Sequence, residues 1–373
     1  MKQYRLLEIN SQYDKYLSNF YHKHKDIDEL SYDELFTMIA EDGFAESDFI
    51  HRQLNKLGIE SKVIFFNNRN LQNKWHLLEK DMSYFDILLL QIKEFLPDVI
   101  LISDMFAFSK KEIDCIRQSL MPKCIRLVGF HFSTLNNTFK RNAVLYDQIY
   151  TGSKEYVNIM RRYGLPAYLL RHAFEPCILE RMLKCGKENI ICFSGSIMLG
   201  ESAHNNRMYM LDALLKSNVP YDFYGDIYGS IYDSNTDKKE KYLNIMLRIE
   251  KDRREGKFGI EYYSTINRYN VCLNMHSPIA NTGAGNMRMY EATGIGACLL
   301  TDYKDENAEL FDVDNEIVVY HSLEDMVEKA KWLIDNPNEA RKIAIAGQKR
   351  TLNEHNYKNK AEYLNDYIQK LLA

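Results

Sequence analysis

Short apolar runs and stretches of helical period alternate along the whole chain. In the first half, YRLLEIN (4–10), ESKVIFFN (60–67), DVILISD (98–104), KCIRLVGFH (123–131) and YDQIYTGS (146–153) read as strands. Between them, SYDELFTMIAEDGF (31–44), AESDFIHRQLNKLG (45–58) and KKEIDCIRQSL (110–120) carry helical spacing. Ser31 and Glu34 stand in capping-box relation, and Gly58 closes the second of these helices. The second half restarts the alternation. ENIICFSGS (188–196), PYDFYGD (220–226), INRYNVCLNMH (266–276) and IVVYHS (317–322) read as strands. RMYMLDALLKSNV (207–219), LEDMVEKAKWLID (323–335) and NEARKIAIAGQKRTLNEH (338–355) read as helices, and 357–373 is amphipathic. Strands that are nearly all apolar, alternating with helices, predict parallel sheets covered on both faces.

A chain of 373 residues exceeds what one core usually serves, so two α/β domains are expected. The alternation breaks at FEPCILERMLKCGK (174–187), which reads as the hinge. The expected division is 1–174, 175–354 and a final helix, 355–373. The polar segment 226–260 shows no continuous core face and reads as a lid or an inserted helix.

Composition narrows the function. A net charge of -4 argues against a general nucleic-acid binder. Seven cysteines without a CxxC pair, several inside apolar runs, read as reduced core thiols of a cytoplasmic protein. No apolar run reaches the ~20 residues of a membrane span. A peripheral role at the inner face of a membrane stays compatible with that.

The candidate chemistry lies at strand ends. In NTGAGNMRMYEATGIGACLLTD (281–302) a loop with two glycines leads into a short helix. Amides of Asn281, Thr282, Gly283, Ala284, Gly285 and Asn286 can approach a phosphate, and a helix start favours negative charge. Arg288 can add a charge-assisted contact. Glu291 can accept from the two vicinal hydroxyls of a ribose. Gly195 and Ser196 end a strand in a turn that allows close approach to a ligand, and Arg207 is a phosphate-clamp candidate on the next helix. His131 and His276 each end a strand, where an imidazole can orient a hydroxyl or act as a base. The same features also suit packed turns, solvated helix residues and hydrogen-bonded structural histidines. Asp312-Val313-Asp314 reads as a turn, and no residue spacing calls for a metal.

These motifs together resemble the C-terminal domain of the spore-maturation (CgeB-like) glycosyltransferases, relatives of the family 4 enzymes with the GT-B fold. The carrying pattern is N-x-R-x-Y-E-A-x-G-x-G-x-x-L-L-T-D from Asn286 to Asp302, then ELF, then E-x-V-x-Y, then N-P-x-E-A before a closing H-x-Y. The resemblance implies two Rossmann-like domains facing across a cleft, with the last helix crossing back to the first. It implies a nucleotide-diphosphate sugar held by the second domain and a glycan, lipid-linked or protein hydroxyl acceptor presented by the first. Glu291 matches the glutamate that holds the donor ribose, and Gly195, Ser196 and 283–286 match diphosphate contacts. No metal or other cofactor is expected, and retention of anomeric configuration is implied. One departure stands out: family 4 enzymes carry an earlier glutamate where this chain has Gly283. That departure keeps a non-catalytic nucleotide-sugar-binding scaffold open, and a nucleotide-sugar epimerase, which also uses a cleft between two Rossmann-like domains, is the other alternative.

Overall fold

A computed structural model of the chain describes residues 3–75, 82–198, 206–228, 236–277 and 283–373. The chain divides into two compact units, Met1–Arg171 with Tyr357–Ala373, and His172–Asn356.

The first unit is built on six parallel strands: β1 (Arg5–Asn10), β2 (Glu60–Phe65), β3 (Val99–Ile102), β4 (Arg126–Phe130), β5 (Gln148–Thr151) and β6 (Ala167–Leu169). Their order is β2-β1-β3-β4-β5-β6. All four side chains of β3 are buried, as both faces of a covered parallel sheet require. The covering helices show why they form. Lys110–Gln118 turns Ile113 and Ile116 inward and is opened by a Ser109–Glu112 capping box. Ser31 and Glu34 make the capping box legible in the sequence. A helix at Asp14–Lys23, in the polar-aromatic stretch after β1, buries Tyr16 and Phe20.

The second unit repeats the plan with β7 (Glu188–Ser194), β9 (Tyr221–Tyr224), β11 (Arg253–Arg254), β12 (Tyr269–Asn274), β13 (Cys298–Asp302) and β14 (Val318–Tyr320); a small parallel pair, β8 (Ile197–Met198) and β10 (Ile227–Tyr228), stands apart. The main sheet runs β11-β9-β7-β12-β13-β14, and every pair is parallel. The polar segment contains a long helix, Thr236–Asp252. It does have a core face, a narrow one: Tyr242, Ile245 and Ile249 are buried at near-helical spacing beside Met210 and Leu214. Arg248 pairs with the buried Asp212 at 2.6 Å on the same seam.

Strand order decides where a ligand can approach. From β7 the chain moves outward through β9 to β11, then crosses to the other side of β7 to make β12. The carboxyl ends of β7 and β12 therefore flank a topological switch point, where connecting loops part and leave a crevice. Among the described residues no helix is long and apolar enough to cross a membrane.

Candidate functional site

The residues after β7 and β12 converge at that switch point. Gly195 follows β7, and its N–H donates to Tyr224 O at 3.0 Å. Gly225, after β9, lies so close that a Cβ there would sit 2.1 Å from the Gly195 carbonyl oxygen. Only a glycine at 225 allows the two turns to meet in this way.

Arg207 lies over this turn. Its Nη1 donates to Ser196 O at 2.9 Å and its Nη2 to Met275 O at 3.3 Å, so one guanidinium joins the ends of β7 and β12. Its Nε is buried and has no hydrogen-bond partner among the described residues. Burial, then the like charge of Arg288, lowers the guanidinium to about 10, against the pull of Asp302 and Tyr320. It stays charged at neutral pH. Two cations set against each other favour an anion between them.

Arg288 belongs to the helix Met287–Gly294. It donates from Nη1 to Glu291 Oε2 at 2.8 Å and stacks over the Tyr262 ring at 4.5 Å. The same oxygen accepts from the Tyr262 hydroxyl at 3.0 Å. Glu291 is buried, not a solvated helix residue. Burial raises its pKa, while Arg288, His172 and Tyr263 act the other way.

The loop into this helix is described from Gly283; Asn281 and Thr282 lie outside the described residues. Gly283, Ala284 and Gly285 are buried. Asn286 is the N-cap, yet its side chain makes no cap hydrogen bond. Instead it pairs with Asn274 at the end of β12, donating to Oδ1 at 2.9 Å. The first amides of the helix thus remain without a side-chain cap. One loop amide is committed: Gly285 N–H points to His276 Nε2 at 3.4 Å. The expected row of amides at 283–286 is short by that one.

His276 in turn is anchored to Asp302, at the end of β13, by its backbone N–H and its Nδ1, both at 2.7 Å. Burial raises the Asp302 pKa, but the His276 hydrogen bonds and charge, with Lys304, bring it below the usual carboxylate range.

His131 sits in the first unit, directly after β4. It is buried among Phe106, Phe139 and Tyr156, with the Phe139 ring centroid 4.1 Å away. Burial lowers it to about 4, against backbone hydrogen bonds at Ser133 and Thr134 and the charge of Asp104. It is neutral at neutral pH, and its Nε2 has no hydrogen-bond partner among the described residues. Asp312 and Asp314 lie in a turn, with Asp314 at φ 65°. Among the described residues no group of three or more His, Cys, Asp or Glu side chains is arranged to hold a metal.

Sequence reasoning missed Asp302, Tyr262, Asn274 and Gly225. Asp302 had a signal, a carboxylate closing an apolar run. The others act through partners on other elements, which local spacing does not reveal.

Residues 207–366 match the sequence model of a family described as glycosyl transferase-like. Similar solved structures include Anabaena Alr3699/HepE in complex with UDP and glucose, at TM-score 0.57 and 11% identity over 99% of this chain and 100% of that one. Sucrose-phosphate synthase (tll1590) from Thermosynechococcus elongatus aligns at TM-score 0.56 and 10% identity over 100% and 99%. AviGT4, a glycosyltransferase involved in avilamycin A biosynthesis, aligns at TM-score 0.56 and 13% identity over 99% and 98%. No curated protein matches the chain in sequence. The fold is that of the GT-B glycosyltransferases, and the family match supports a transferase.

Proposed function

From a GT-B fold whose second unit carries glycosyl transferase-like sequence, we propose that this chain moves a sugar from a nucleotide-diphosphate donor to a hydroxyl acceptor, as a CgeB-like enzyme of glycan or glycoconjugate synthesis. The observation that carries the reading is one convergence. Arg207, Arg288, an uncapped helix start and the Gly195–Gly225 contact meet at the carboxyl ends of β7 and β12, beside the buried Glu291.

Each part has a task in this reading. As the bond to the sugar breaks, negative charge gathers on the leaving diphosphate. Arg207, Arg288 and the first amides of the helix at Met287 stabilise it without a metal, being held in place before the reaction begins. Glu291 accepts from the ribose hydroxyls, oriented by Arg288 and Tyr262. His131, neutral and with Nε2 lacking a partner, is the acceptor-side base. UDP and glucose, present in the HepE complex, are the first donor components to try. A cytoplasmic setting suits nucleotide sugars.

The second reading is a scaffold that binds a nucleotide sugar without turning it over. Gly283, standing where family 4 enzymes have a glutamate, favours it. One experiment separates the two. A panel of nucleotide-diphosphate sugars is titrated by calorimetry, and nucleotide release is followed with and without hydroxyl acceptors, for wild type and Glu291→Ala. The transferase reading expects one donor that binds and releases nucleotide, and a roughly ten- to hundredfold loss of affinity in the variant, the cost of about 1.5–3 kcal/mol of hydrogen bonding to a charged group. Binding without release favours the scaffold. Absence of binding, or equal binding by the variant, removes both.

A further inference from the structure

His276 and Asp302 come from different strand ends and are joined more tightly than packing requires. Asp302 Oδ1 accepts from both the backbone N–H and Nδ1 of His276. An ionised carboxylate only accepts, so Nδ1 carries the proton and Nε2 keeps its lone pair. That lone pair faces the Gly285 N–H at 3.4 Å, with Met289 Sδ at 3.2 Å on the same nitrogen. Gly285 holds φ +100°, and a Cβ on it would lie 2.9 Å from the Tyr290 hydroxyl oxygen. Asp302 is itself held, by Thr301 Oγ1 at 3.4 Å and the Lys304 ammonium at 3.8 Å.

We propose that His276 and Asp302 are positioning residues: they hold the Gly285 peptide turned inward, and so aim the amides that follow it at the donor diphosphate. The proposal rests on the donor-site reading above and changes the part of His276 within it. His276 does not contact the ligand. It spends its lone pair on the loop, and the carboxylate at the end of β13 chooses the tautomer that makes this possible. A relay across two strands thus fixes a loop that glycine alone would leave free to take many conformations.

The test compares His276→Phe and His276→Gln with wild type. The phenylalanine fills the space without a lone pair; the glutamine offers an amide oxygen towards Gly285. Two readouts are taken. The first is the affinity for UDP and for uridine by calorimetry, because the loop serves the phosphates alone. The second is hydrogen exchange at the Gly285 amide, which needs no ligand. We expect His276→Phe to weaken UDP about tenfold and leave uridine within about twofold, with faster exchange at Gly285. His276→Gln should recover most of both. Parallel losses of UDP and uridine affinity would mean general damage and overturn the proposal. So would an unchanged ratio of the two affinities, or unchanged protection of Gly285. If wild type binds neither UDP nor any other nucleoside diphosphate, the donor-site reading fails, and the exchange result alone decides whether the pair holds the loop.

Discussion

The helix start at the candidate site differs from five helix starts of the first unit, and from that of its own neighbour in the second unit, where Ser322 accepts from the Asp325 amide. In the first unit Ser31, Ser83, Ser109, Asn136 and Ser153 each accept from the amide three residues on, closing the helix behind them. In the second unit the helix at Met287 begins with a residue equally able to cap, Asn286, whose side chain is diverted to Asn274. Both units rest on six parallel strands, so architecture does not explain the contrast. Their polar groups differ in the same sense. The first unit buries Glu8, His51 and Lys360. There Lys360 Nζ meets Glu46 at 2.5 Å and lies 5.1 Å from the Phe130 and Tyr357 ring centroids, while Ser103 donates to Glu8 at 2.6 Å. Lys360 and Glu8 are partnered in this way, while His51 keeps one hydrogen bond, Nδ1 to Ser61 Oγ at 2.9 Å, and its Nε2 has none among the described residues. The second unit gathers two mutually repelling arginines and an open helix start. One scaffold hosts a largely paired polar network around Lys360 and a less fully paired one around Arg207, and the second is the one that favours an anionic donor.

The comparison breaks most visibly at Lys360. Lys360→Met leaves Glu46 without its buried cation. Unfolding in urea should show the first unit destabilised by about 3–5 kcal/mol. UDP binding by the second unit should be unchanged; a matching loss there would show that the two networks are not independent. The same network has a pH signature. Burial raises Glu8 to about 8, opposed by Ser103, Lys360 and Asn10, with Glu46 adding to the rise. Burial lowers His51 to about 3. Between about pH 6.5 and 8 the folded Glu8 keeps a proton that the unfolded chain has lost. Stability from Glu8 therefore falls as pH rises through that window. His51 contributes its change below 6.5, in the opposite direction: stability is lost there as pH falls. Urea midpoints across pH 6.5 to 8.5 should decline in wild type and flatten in Glu8→Gln.

A smaller effect is expected at the glycine contact. Gly225→Ala forces a methyl into the Gly195 carbonyl, costing about 1–3 kcal/mol and weakening UDP by displacing the turn. Gly186→Ala is the control, since nothing lies within 4 Å of its added Cβ. Thermal melts and titrations of both should differ. Equal behaviour would mean that the turns can part without loss.

The parts legible in the sequence were those written locally. Strand runs such as Val99–Ile102 and Cys298–Asp302, and the Ser31–Glu34 box, depend on neighbours a few residues apart, so period and spacing reveal them. The three-residue face of Thr236–Asp252 was too sparse for its period to stand out from the surrounding charge. At the site, Gly195, Arg207 and Glu291 could be singled out by residue type at strand ends. What could not be read was commitment. That Arg288 is tied to Glu291, that Asn286 turns to Asn274 and that the Gly285 amide is taken by His276 are facts of contact between separate strand ends. Residue type gives the ability to bond; the fold decides with whom.

The finest test acts on the cap itself. Asn286→Ser removes the side chain that reaches Asn274 and substitutes one that readily accepts from the second amide of the helix, at Arg288, the third, at Met289, already donating to the Asn286 carbonyl at 3.1 Å. The helix at Met287 would then resemble those of the first unit. Its closing should leave the melting temperature unchanged or slightly higher, because a cap worth up to about 1 kcal/mol offsets the lost Asn–Asn bonds. UDP should bind a few-fold more weakly, since an amide once open to phosphate now faces a hydroxyl oxygen. Calorimetry beside a thermal melt decides the matter. A variant that is stabler and binds as well as wild type would show that the uncapped start is incidental, and that the arginines alone draw the anion. A variant that is stabler and binds less well would show that the second unit gives up helix stability in order to keep its amides open.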